Sequence, residues 1–167
     1  MGKITVLKGE NLSLGTGNVL AVFNNPAAGT AGARVKIKRL EISQSGSTTL
    51  GMVRGEFFTR DNAGTLTTTS LAPTPIKPVG AAASGFAGNT SVIGGTGRSG
   101  INSSADSGGA YTSIFPFNFA NTAGYLYKPA PDEEMEFPAS TIWGVRLLAS
   151  PATTTGWTFT LTIEEDG

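Results

Sequence analysis

Chemistry in this chain must come from carboxylates, amines and hydroxyls, because its 167 residues include no Cys and no His. Thiolate nucleophiles, zinc ribbons, disulfides and every His-dependent triad are thereby removed. The densest carboxylate group is Asp132, Glu133, Glu134 and Glu136, the residue types of a glycosidase pair or an oxygen-ligated calcium site. These acids alternate with Met135 and Phe137, which predicts a solvated strand face beside a core face, with Glu134 and Glu136 together and Glu133 opposed. Residues Gly95, Gly97 and Gly100 match a dinucleotide-binding glycine pattern, but no strand precedes them, no helix follows, and no acid stands correctly downstream. That stretch is expected to be a flexible loop. No catalytic residue, metal site or cofactor site is read from the chain.

Two further constellations suit binding better than catalysis. Arg34, Lys36 and Lys38, spaced by two, project a basic stripe from one strand face, either solvated or matched to an acidic protein partner. Nucleic acid is disfavoured, since useful phosphate binding needs about six to ten contacts and the chain is neutral overall. Phe115, Phe117 and Phe119 share another strand face, as a sandwich core or a sugar-binding platform would require. Core is favoured, because aromatics are the main apolar mass available here. Trp143 and Trp157 are read as core too, with each indole N–H needing an acceptor.

The elements that must position these groups are strands. Residues 156–165 place Trp157, Phe159, Leu161 and Ile163 on one face and Thr158, Thr160 and Thr162 on the other, a half-buried antiparallel strand. Its Glu164, Glu165 and Asp166 read as a solvated stop. Further strands are expected at 3–8, 18–23, 34–43, 51–60, 65–72, 111–119, 134–138 and 142–149, and no segment has a helical period. Within 34–43 the apolar phase shifts from Val35 and Ile37 to Leu40 and Ile42, which demands a β-bulge near Lys38 and Arg39. Pro116 cannot donate to a ladder, so its strand should lie at an edge. Residues 61–64 read as a hairpin connection between their flanking strands. The stretch 80–110 is rich in Gly and Ser and reads as a long loop, disordered or pinned against a neighbour. Eight or nine strands without a helix predict an all-β antiparallel sandwich over 1–167, jelly-roll-like, with an immunoglobulin-like sandwich as the alternative.

Charged residues make up only 14% of the chain, well below the roughly 25% of an ordinary soluble domain, so little self-repulsion keeps copies apart. The balance is uneven along the chain. Residues 1–60 carry a net +5 and residues 132–167 a net −6, charges that pair either within one fold or across a subunit boundary. No apolar run is long enough for a membrane-spanning helix, and the initial residues lack the apolar core of a secretory signal, so export by that route is not expected.

Three stretches, EFFTRDNAGTL (56–66), SSADSGGAYTSIFPFNF (103–119) and 124–165, together resemble small β-rich structural proteins of tailed bacteriophages. The resemblance implies a virion jelly roll of capsid decoration or cement type, assembled in the host cytoplasm. It implies self-association, with a trimer expected, and contact with the major capsid protein or another virion protein. Such contacts are expected at Arg34, Lys36 and Lys38 and in the long loop at Phe86, Arg98 and Ile101. A receptor- or glycan-binding fibre module is the alternative, and it requires Tyr125, Tyr127 or one of the three Phe rings to face solvent in a groove.

Overall fold

In a computed structural model, which describes residues 2–47, 49–78 and 82–166, the chain forms two antiparallel sheets. Among the described residues there are thirteen strands: β1 (Lys3–Leu12), β2 (Val19–Asn24), β3 (Arg34–Gln44), β4 (Met52–Arg60), β5 (Thr65–Ser70), β6 (Thr74–Lys77), β7 (Ala87–Gly88), β8 (Arg98–Ser107), β9 (Tyr111–Ala120), β10 (Tyr125–Tyr127), β11 (Glu136–Phe137), β12 (Ile142–Leu147) and β13 (Trp157–Asp166). The 6-stranded sheet runs β10-β3-β13-β1-β6, with β11 continuing the β10 edge of β3. The 7-stranded sheet runs β5-β8-β2-β12-β4-β9, with the short β7 parallel to β8.

Thirteen strands correct the expected eight or nine. The four that periodicity did not reveal are short or built of small residues. β10 is three residues long and β6 carries Pro75, while β7 and β8 lie inside the stretch expected to be a loop. β8 lacks an apolar alternation because it is squeezed between neighbours: a Cβ on Gly100 would come within 2.2 Å of Thr68 Oγ1. Small residues let its backbone ladder form where larger side chains would collide. Gly95 and Gly97 lead into β8 with no helix beyond them.

The connection at 61–64 is a second correction. β4 pairs with β12 and β9, and β5 pairs with β8, so 61–64 joins strands that do not pair with each other. Arg60 stands opposite Tyr111 in the β4–β9 ladder, Asp61 N donates to Ala110 O at 3.1 Å, and Ala110 N donates to Asp61 Oδ1 at 3.1 Å. Residues 61–110 are therefore a fifty-residue excursion inserted into a β4–β9 hairpin and pinned at its neck. The local turn signal was real, but a hairpin cannot be inferred from a turn when its strands find other partners.

Other expectations hold. β13 alternates buried and half-buried residues throughout. The β3–β13 register slips between Thr162 and Ile163, where Lys38 has no opposite number, placing the bulge at Lys38 and Arg39. β9, with Pro116, is the terminal strand of its sheet. Between the sheets lies the main core, centred on Phe23, Trp143 and Phe137, whose rings stack at 4.4 and 4.5 Å on either side of the indole. Both indoles have their acceptor: Trp143 Nε1 donates to Asn25 Oδ1 at 2.7 Å and Trp157 Nε1 to Thr153 O at 2.9 Å.

Candidate interaction surface

The residues expected at contacts are largely consumed within the chain. Arg34 pairs with Glu136 at 3.6 Å, Lys36 with Asp166 at 3.7 Å, and Lys38 with both Glu134 and Glu164, the latter at 3.1 Å. The hydrogen bond to Glu134 is the main reason the Lys38 ammonium is held above its usual pKa. The basic stripe is thus a charge lattice with the acids of β13 and the 132–136 segment, because β3 and β13 lie side by side. The opposite-sign ends of the sequence meet inside one fold. Phe86 is buried, edge-on to Phe23 with ring centroids 5.1 Å apart, and Ile101 is buried in the same core. Arg98 donates to Ser91 O at 3.1 Å and Ile93 O at 3.2 Å. Phe86 and Ile101 are only 3% and 6% exposed, interior positions rather than surface ones. They anchor the excursion.

The acids divide in the same way. Glu134 and Glu136 are tied to Lys38 and Arg34, Asp132 and Glu133 are exposed, and among the described residues no group of three acids is placed to hold a metal ion. Glu165, read as part of a solvated stop, is buried: it accepts from Thr5 Oγ1 at 2.8 Å, Ser84 Oγ at 2.6 Å and Gly85 N at 2.7 Å, with Lys3 Nζ at 3.5 Å. It fastens residues 84–85 to the end of the 6-stranded sheet.

A second cluster of titratable groups, unseen in the sequence, lies on the outer face of the 7-stranded sheet. Arg60, its side chain fully buried, donates to Asp106 Oδ1 at 3.1 Å and to the carbonyls of Asp61 and Ala63 at 3.0 and 2.8 Å. Tyr111 Oη donates to the other Asp106 oxygen, and the Arg146 guanidinium lies 3.8 Å from the Tyr111 ring centroid while binding Glu56. Burial, reinforced by the Asp106 carboxylate, pushes the Tyr111 phenol up to about 12. A phenol held protonated against a carboxylate already occupied by Arg60 is no proton acceptor near neutrality. This cluster locks the neck of the excursion.

The aromatic residues turn inward. Phe117 and Phe119 are buried, Tyr125 stacks on Phe117 at 4.1 Å, and Tyr127 packs on Phe57 at 5.4 Å and Phe115 at 5.5 Å. They seal the side of the sandwich between β9 and β10, and only Phe115 is substantially exposed, at 40%. Burial raises the pKa of both tyrosines.

What remains open is the outer face of the 6-stranded sheet. A groove of about 510 Å³ crosses it, with Ile4 and Thr162 as floor, Ile76 and Lys77 of β6 as one wall, and Lys128, Pro129 and Pro131 as the other. Lys38 and Arg39 also line it, but both are engaged by acids. A second cleft of about 520 Å³ beside Tyr125 is lined by Glu41, Ser43, Thr158 and Thr160. Comparison of the chain with protein-family models, with curated proteins and with solved structures finds no match. The surface is therefore read from its own geometry.

Proposed function

We propose that this chain is a non-enzymatic structural protein of a tailed-phage virion, a jelly roll that decorates or cements a capsid by self-association and by contact with the major capsid protein. One observation carries the reading. Set aside the excursion and the short β11, and eight strands remain, ordered β1-β13-β3-β10 in one sheet and β2-β12-β4-β9 in the other. That interleaving supports the jelly-roll reading, since a double Greek key orders its strands in this way, and the architecture is used by viral capsid and lectin domains. Fold alone does not assign function, so the reading leans also on the surface. Charge is sparse, the basic and acidic residues largely neutralise each other in place, and the outer face of the 6-stranded sheet is broad and hydroxyl-rich.

The mechanism is burial of surface against surface, with affinity set by the quality of the contact rather than its area alone. Light scattering across micromolar concentrations is expected to give a trimer, and the purified protein to bind capsids lacking it at saturable stoichiometry. A monodisperse monomer that ignores such particles overturns the proposal.

A further inference from the structure

We propose that the groove across the outer face of the 6-stranded sheet is a docking site for an extended partner segment that carries two carboxylates flanking aliphatic side chains. Lys77 and Lys128 stand on its opposite walls, both exposed, and neither has a carboxylate partner among the described residues. The other cations of this face do: Lys8, Arg34, Lys36, Lys38 and Arg39 are each paired. Unspent positive charge is therefore confined to the two rims. Between them the lining joins aliphatic Ile4, Ile76, Pro129 and Pro131 to Thr162 and to Glu134, whose carboxylate is held by Lys38, and Ile76 is 46% exposed in a chain whose large apolar residues are mostly interior. None of the lining residues is aromatic, which disfavours a sugar as occupant and favours aliphatic side chains. β6 and β10, the strand that runs into Lys128, are four strand spacings apart, about 19 Å between backbones, and because both lysine side chains line the groove between them, four or five extended residues at about 3.3 Å each span their ammonium groups. Carboxylates at that separation meet both lysines at once while the intervening side chains cover the floor. Pairing along the β6 edge is not the mode, because Pro75 removes a donor from that strand.

The inference rests on the proposed function only in requiring a protein partner. Its test uses the whole chain and a fluorescein-labelled seven-residue peptide, Gly-Glu-Leu-Val-Leu-Glu-Gly, with a peptide bearing Lys for Glu and with dextran sulfate as comparisons. Saturable binding of the acidic peptide is expected, with amide chemical-shift changes confined to residues around Ile4, Ile76, Lys128 and Thr162. Affinity should fall at least tenfold in the Lys77→Glu/Lys128→Glu variant and severalfold in Ile76→Ser, with circular dichroism unchanged in both. Equal binding of the Lys peptide, tighter binding of dextran sulfate, shifts scattered over the surface, or unchanged affinity in the double variant each overturns the site. Capsid binding is measured separately: a protein that binds particles but not the peptide sinks the groove alone, and one that binds the peptide but no particle sinks the virion role alone.

Discussion

The two sheets present outer faces of opposite kinds. On the 6-stranded sheet, β13 alternates strictly between buried and half-buried residues, and its outward threonines and acids meet water or paired lysines. On the 7-stranded sheet, all six residues of β2 are buried, because the excursion 61–110 lies across it. Leu66 and Val92 from that excursion close over Val19, Val22, Phe58 and Ile142 to form a second apolar cluster outside the sandwich. The contrast teaches that a strand's outer face becomes core only if the chain brings something to cover it. Here the covering segment has so few large side chains that it is held as much by Arg60, Glu165 and backbone pairing as by apolar contact.

The largest effect is expected from cutting into the second apolar cluster. Phe58→Ala is expected to destabilise by about 3–5 kcal/mol in urea unfolding, as much as Phe57→Ala in the main core. A loss near that of an exposed site would mean the excursion merely rests on the sheet. Next is the lock. Arg60→Ala strands Asp106 and frees the neck carbonyls, at an expected cost of about 3 kcal/mol, with amide exchange in β8 accelerating more than in β13. Uniform acceleration in both strands would deny the excursion its separate identity.

A smaller effect is set by pH. The Tyr111 phenol is raised in the folded state, so its contribution to stability is complete below the ordinary tyrosine value of 10.0 and is lost as pH climbs from there through about 12. All three tyrosines are raised, and ultraviolet titration should show a step near 12 from Tyr111 that moves earlier in Asp106→Asn and vanishes in Tyr111→Phe. If Asp106→Asn leaves it unmoved, burial alone sustains the shift. Least is expected on the open face: Thr160→Ala should change stability by no more than about 0.5 kcal/mol, and Arg34→Ala by a similar amount, since its ion pair is well exposed. A larger loss at Thr160 in the assembled protein than in the monomer would mark that face as covered by another subunit.

Much of the fold was legible in particular residues. The phase change at Lys38 and Arg39 located a bulge, Pro116 located an edge, and the alternation from Trp157 to Ile163 identified a half-buried strand. β8 was illegible because Ser, Gly and Asn carry no hydrophobic period, and its pairing depends on β2 and β5, one of them more than seventy residues earlier. The candidate surface was legible only in part. The stripe Arg34, Lys36, Lys38 was visible, but its acids were not assignable, and Lys77 and Lys128, the cations of the open face without a carboxylate partner among the described residues, stood out by no pattern at all.

By itself the amino-acid order determined that this chain is built of strands, where several of them bend or end, and which indoles need acceptors, since side-chain alternation, proline's missing N–H and a buried polar group act over a few residues. Only the tertiary structure decided which strands pair, which face of each sheet is covered, and which charges are spent. Those outcomes turn on contacts between segments far apart in the chain, where β3 and β13, 113 residues apart by their opposed ends at Gln44 and Trp157, bring opposite charges together and the excursion turns one solvent face into core.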